Sequence, residues 1–307
     1  MQTVIEESHP QLRPRSVVDQ LDLAFRLYRR QFVTFIGIVA VLQVPLLLIR
    51  SVYSLAYVLP FNETLLAAVE RDDADALANS ELWGPVLLGF AALTVITALI
   101  DMLITGALAY AVSRAYLGHP TDILGAYDYL AHGPRLLSLL GAALLVGLAT
   151  GVVGFLGGIA SGFVPCLICL MLPLALAVWL YLTLRFLALP QVVVLEDRGP
   201  LQAIGRTWRL ISGHLWRALG LVILVGLVTY IIPAGLELVM QFGLGSLPLP
   251  PAALVFLQSA FTGLFQIAVL PVLLGTRTLF YYDLRIRKEG YDLRMHVERL
   301  TGGGQPA

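Results

Sequence analysis

Six stretches of this chain stay apolar for longer than the roughly 20 residues an α-helix needs to cross a bilayer. They run over approximately 32–60, 84–113, 136–162, 164–189, 216–243 and 252–281. Their excess length predicts tilt or helix continuing into the interface. The third and fourth are separated only by Ser161-Gly162-Phe163-Val164-Pro165, which predicts a tight hairpin. Charged residues make up 13% of the chain and apolar residues 58%. A soluble domain carries roughly 25% charge, so lipid is the expected solvent. The fold class that follows is all-α: a polytopic integral membrane protein of six transmembrane helices.

Arginine sets the expected orientation. The leader to residue 31, the segments 114–135 and 185–219, and the tail from 277 together hold 18 of the 20 Lys and Arg. The loop near 61–83 holds Arg71 against Glu63, Glu70, Asp72, Asp73, Asp75 and Glu81. Basic residues stay on the cytoplasmic side, so both termini are expected inside a cell membrane and the acidic loop outside. The leader, 1–31, is polar, with no apolar core for a cleavable signal peptide. The first span, within the membrane domain 32–289, is then expected to direct insertion, and 290–307 forms a cytoplasmic tail. A formal net charge of zero argues against a nucleic-acid partner.

Three segments read as amphipathic helices that run into spans. In the first, Val17, Val18, Leu21, Ala24, Phe25 and Tyr28 share a face opposite Asp19, Asp22, Arg26 and Arg29, and Arg30 follows. In the last, Leu201, Ile204, Trp208 and Ile211 share a face opposite Arg206 and Arg209. The middle one, Thr121 through Tyr127 and Leu130, is less regular. Superposed without gaps, Phe25, Tyr129 and Trp208 coincide, as do Gly37, Gly141 and Gly220. This suggests a threefold repeat of amphipathic helix plus hairpin. Basic and aromatic side chains there (Phe25, Arg26, Arg29, Arg30, Arg206, Trp208, Arg209) suit the inner headgroup region. The expected partners are the lipid bilayer, with anionic headgroups or another membrane protein as further candidates. A plain surface helix packed on the ends of the spans fits the same residues.

Ionisable residues within spans are costly and mark functional candidates. Counted from the inner ends at 1.5 Å per residue, Arg50 and Glu237 both lie roughly 30 Å up and are predicted to pair. Asp101 lies roughly 18 Å up, close in height to Gln43 and Gln266, and these three are predicted to form a polar cluster. A buried clasp and a solute or proton path are the two readings of that cluster. Pro45, Pro173, Pro233 and Pro271 interrupt four spans and predict kinks. Cys166 and Cys169 are read as small buried hydrophobes, with a disulfide as the alternative. Gly154, Gly157, Gly158 and Gly162 have small-residue spacing for close helix contact. No cofactor or metal site is expected. No nucleophile elbow, zinc-type His-Glu-x-x-His or phosphate-binding Gly-Lys loop occurs.

Three stretches carry a family likeness. Arg13-Pro14-Arg15-Ser16 precedes Ala24-Phe25-Arg26-Leu27-Tyr28-Arg29-Arg30. Leu195-Glu196-Asp197-Arg198-Gly199-Pro200-Leu201 leads into Trp208-Arg209-Leu210-Ile211. Tyr281-Tyr282-Asp283-Leu284-Arg285-Ile286-Arg287-Lys288-Glu289-Gly290-Tyr291-Asp292-Leu293 closes the chain. Together these resemble the bacterial glycerophosphoryl diester phosphodiesterase membrane domain. The resemblance implies architecture and no substrate, because that family's catalytic residues belong to a fused barrel. No polar stretch here exceeds about 35 residues, so a barrel is not expected in this chain. In the closing stretch Asp283 with Arg287, and Arg285 with Glu289, are i,i+4 pairs, and Gly290 suits a left-handed helix stop. The expectation is a non-enzymatic membrane domain that scaffolds or regulates a membrane or lipid-related process. The alternative is a carrier or channel for a small solute, using the cluster around Asp101.

Overall fold

The computed structural model describes residues 16–72, 81–163, 168–245 and 249–290. All regular structure among them is helical. We number the helices α1 (Val17–Arg30), α2 (Phe32–Tyr53), α3 (Leu59–Glu70), α4 (Trp83–Tyr116), α5 (Ile123–Ala131), α6 (Arg135–Phe163), α7 (Ile168–Arg185), α8 (Leu189–Leu195), α9 (Pro200–Ile211), α10 (Leu215–Gly226), α11 (Ile232–Gly245) and α12 (Pro251–Glu289). Wide π turns, Ser54–Val58 and Leu227–Ile231, join α2 to α3 and α10 to α11.

Five helical runs are long and apolar enough to cross a membrane, and a sixth follows if the bent pair α5–α6 is one span. That pair bends by 77° at His132-Gly133-Pro134, where Gly133 has φ +75°. Large apolar side chains on these runs face outward: Val33, Leu88 and Tyr230 are 73–77% exposed. Such a surface is stable only against lipid or another apolar partner. The chain is an all-α polytopic membrane protein.

Helix bounds extend the sequence reading in two places. The first apolar run continues as helix to Glu70, giving 39 residues over Phe32–Glu70. Part of the expected acidic loop, including Glu63 and Glu70, is therefore helical. The last run is also 39 residues, Pro251–Glu289, about 58 Å at 1.5 Å per residue. The fourth run breaks after Arg185 and resumes at Leu189, where Pro190 starts a new helix. The cysteine pair Cys166 and Cys169 lies outside the described residues and side chains. So does the packing around Gly154, Gly157, Gly158 and Gly162.

The chain forms two compact units. The first comprises Met1–Phe35, Thr105–Ile223 and Val272–Ala307; the second comprises Ile36–Ile104 and Leu224–Pro271. By sequence position the first holds 18 basic and 12 acidic side chains, a formal +6. The second holds 2 and 8, a formal −6.

The first unit holds the three short amphipathic helices. Ser16 caps α1: its hydroxyl accepts from the Asp19 N–H, and Asp19 accepts from the Ser16 N–H, both at 3.1 Å. Asp122 caps α5 through the Gly125 N–H at 3.0 Å. Pro200 opens α9 at its first position. The face α1 buries is Gln20, Ala24 and Tyr28, and that of α9 is Ala203, Thr207, Leu210 and Ile211. Each large apolar side chain such as Leu210 contributes about 1.5–3 kcal/mol on leaving water. These stripes coincide in the gapless register, Gln20 with Ala203, Ala24 with Thr207 and Tyr28 with Ile211. The middle helix does not follow, because α5 buries Ala126 and Leu130, two residues out of step. The repeat is thus close for its outer copies and displaced in its middle one.

Candidate functional site

The second unit contains an open cleft of about 470 Å³. Gln43, Leu47 and Arg50 of α2 line one side, at spacings of four and three residues that keep them on one helical face. Gln258, Thr262 and Gln266 of α12 line another, spaced by four. Glu237 of α11, Ser54 of the first π turn and Asn62 of α3 also reach it. Gly263 lets α2 and α12 approach: a Cβ there would lie 1.7 Å from the Leu47 Cδ1.

Three hydrogen bonds stitch α2 to α4. The Gln43 amide donates to Asp101 Oδ1 at 2.9 Å. The Arg50 guanidinium donates to Thr97 Oγ1 at 2.7 Å. The Tyr53 hydroxyl donates to the Val86 carbonyl at 2.5 Å. Gly89 makes room for that tyrosine, since a Cβ would lie 2.1 Å from its ring. Across the cleft, Thr262 Oγ1 donates to Glu237 Oε1 at 2.8 Å.

Two expectations change here. Arg50 and Glu237 do line one cavity, but they form no ion pair with each other; each takes a threonine hydroxyl on the neighbouring helix. Equal height along the membrane does not bring two side chains together when their helices face different neighbours. The predicted cluster is also divided. Gln43 and Gln266 line the cleft, whereas Asp101 lies outside its lining, exposed, behind the Gln43 amide. Residues 97 and 101 are one helical turn apart, so the face of α4 that meets α2 is turned away from the opening. The glutamine–threonine stripe at 258, 262 and 266 was not singled out from sequence. Its four-residue spacing on an apolar helix was the available signal. Asn62-Glu63-Thr64, which matches a glycosylation acceptor, is helical, and Asn62 faces the cleft.

The first unit carries a second concentration of charge. Glu196 follows α8 and accepts from Arg206 at 2.9 and 3.1 Å, from Arg198 at 2.8 Å and from the Tyr281 hydroxyl at 3.0 Å. Burial alone pushes the Glu196 carboxyl up. The Arg206 hydrogen bonds and charge, with Tyr281 and Arg285, outweigh it and hold the group below the ordinary carboxylate range. Arg206 also pairs with Glu289, and its guanidinium is held above the ordinary arginine value by Glu289 first and Glu196 next. Asp197 next door accepts from Arg135 Nη2 at 3.0 Å, and Arg135 lies over the Tyr129 ring at 3.9 Å. Buried Asp283 accepts from Arg217 at 2.8 Å and from Arg287 at 3.0 Å. The expected i,i+4 pairs of the closing stretch are present, Arg285 with Glu289 at 3.4 Å. Gly290 ends the helix at φ +57°.

The interfacial candidates separate into two groups. Phe25, Arg26, Arg29, Arg30, Trp208 and Arg209 are exposed. Arg26 pairs with Asp22 on its own helix, and Arg185 covers Trp208 at 4.4 Å. Arg206 departs from the sequence reading: its side chain is only 17% exposed and turns inward to two acids. Their attraction overrides the position helical periodicity assigned it. Trp208 shares the apolar face read from sequence, and the face that α9 buries runs through Ala203, Thr207, Leu210 and Ile211. Among the described residues no three His, Cys, Asp or Glu gather to hold a metal ion. No family model, curated protein or solved structure matches the chain.

Proposed function

We propose that this protein binds a small polar molecule within the membrane, in the cleft lined by Gln43, Arg50, Glu237 and Gln266, and acts as a carrier rather than an enzyme. One observation supports the reading: a polar cavity of about 470 Å³ opens among helices long and apolar enough to span. That volume falls in the roughly 300–1,000 Å³ range of small-molecule sites. Polar and charged walls are expensive inside a bilayer and are kept where a solute or ion uses them. Asp101 belongs to this reading only through Gln43.

The protein is oriented with both ends in the cytoplasm of a cell membrane. The placement of 18 of the 20 Lys and Arg in the leader, the segments 114–135 and 185–219, and the tail from 277 supports that orientation under the positive-inside tendency. A scaffolding role is favoured by a different observation: the exposed apolar residues Val18, Leu124, Leu201 and Trp216 on or beside the short amphipathic helices. These suit the headgroup boundary or a protein partner. We also read the chain as a relative of the glycerophosphoryl diester phosphodiesterase membrane domain. Supporting this, Glu196, Tyr281 and Glu289, from two of the three stretches that carry the likeness, share one network with Arg206.

Proteoliposomes of the full chain should take up one or more small polar solutes from a labelled panel that includes glycerophosphodiesters. A cleft-filling Ser259→Trp variant with unchanged melting should take up none. Equal uptake by both proteins, or none by either, would leave the scaffold reading.

A further inference from the structure

The cleft brings one cation and one anion to a shared space without letting them neutralise each other. Arg50 and Glu237 both line it, and each is bonded to a neutral threonine hydroxyl. A guanidinium has five N–H donors and a carboxylate about four acceptor sites, so both retain hydrogen-bonding capacity toward the opening. The remaining polar walls are amides and hydroxyls, and among the described residues no other charged side chain lines the space. Charged side chains on helices long and apolar enough to span are costly and mark functional positions. A bare anion would gain from Arg50 and be repelled by Glu237, and a bare cation would meet the reverse. A molecule carrying both charges satisfies both walls at once.

We infer that the cleft recognises a zwitterion, with its anionic oxygens on Arg50 and its ammonium on Glu237. This rests on the cleft being a binding site, as proposed above, and names the class of its ligand. The Gln258 and Gln266 amides would hold the polar link between the two charges. The same chemistry is offered by a free solute, such as an amino acid or glycerophosphoethanolamine, and by the headgroup of phosphatidylethanolamine.

Calorimetric titration of the full chain in phosphatidylglycerol nanodiscs tests this. The probes are glycerophosphoethanolamine and 4-aminobutyrate as zwitterions, glycerol 3-phosphate as anion and ethanolamine as cation. At least one zwitterion should bind at least tenfold more tightly than either single-charge probe. Glu237→Gln keeps an acceptor for Thr262 and should weaken the zwitterion at least tenfold while leaving or improving glycerol 3-phosphate. Arg50→Gln should weaken both; since Arg50 also ties α2 to α4, its melting must match wild type for that result to count, and Glu237→Gln carries the test otherwise. Glycerol 3-phosphate binding as tightly as the zwitterions, or Glu237→Gln leaving zwitterion affinity unchanged, overturns the inference and leaves the binding cleft standing. No binding by any probe overturns both. Repeating the titration in phosphatidylethanolamine nanodiscs separates the sources. Competition by the lipid identifies the headgroup as ligand, and unchanged affinity identifies a free solute.

Discussion

Glu196 offers the sharpest test of what holds the first unit together. Its carboxylate receives Arg206, Arg198 and the Tyr281 hydroxyl, and its side chain is only 8% exposed. Glu196→Ala removes every one of these bonds and leaves the Tyr281 hydroxyl and Arg206 facing the gap. Arg198 is 39% exposed, so water and salt screen its share and it adds little. Arg206 retains Glu289, which limits the loss. The cost is then about 3 kcal/mol, the lower end for removing one partner of a buried pair. For a chain of 307 residues, at about 2.1 cal/mol/K of unfolding entropy per residue, that corresponds to a fall in Tm of about 5 °C. Intrinsic fluorescence melting of the full chain in nanodiscs, at one fixed scan rate, reads it directly.

The pH dependence supplies the sign. The native Glu196 carboxyl sits below its ordinary value of 4.5. Its stabilisation is therefore fully present above that value and is lost as pH falls through the lower native value. The gap between wild type and Glu196→Ala should stay constant from pH 8 to 5 and close in more acid solution. Arg26→Ala, which removes an exposed pair with Asp22, should leave Tm unchanged. A Glu196→Ala shift no larger than the Arg26→Ala shift, or one that widens as the pH falls, would refute the reasoning.

Gly89→Leu should cost about 1–3 kcal/mol through overpacking, because a Cβ there meets the Tyr53 ring at 2.1 Å; denaturant titration should show a lowered midpoint. Gln191 is fully buried in α8, and neither its amide nitrogen nor its oxygen has a hydrogen-bond partner among the described residues. Gln191→Leu should therefore raise stability by about 1–2 kcal/mol in the same titration. Asp101→Asn retains an acceptor for the Gln43 amide outside the cleft, so solute uptake in proteoliposomes should equal wild type; loss of uptake would restore Asp101 to the solute path.

The helical membrane architecture was legible because it depends on long apolar runs, and those survive any detail of packing. The i,i+4 pairs at Asp283 and Arg285 and the Gly290 stop were legible because each is local. What was not legible required knowing which helices face each other. Arg50 and Glu237 were expected to pair with each other, but their threonine partners lie 47 and 25 residues away. Arg206 was assigned outward by periodicity, yet Glu196 and Glu289 draw it in. The role of Glu196 depends on Tyr281, 85 residues on, and no local pattern announces that contact.

The wide turn at Ser54–Val58 has a consequence for how this helix can change over time. At 100° per residue, Arg50 and Ser54 fall close to the meridian that Gln43 defines, but in an unbroken α-helix Asn62 would sit about 100° away from it. A π turn absorbs one extra residue. Counting one residue fewer returns Asn62 to the Gln43 meridian, where it meets the cleft. The turn thus acts as a reading-frame correction between two helical segments. Deleting one residue there would regularise the backbone and at the same time rotate Asn62 out of line with its neighbours. The number of residues across the turn is therefore constrained independently of their kind.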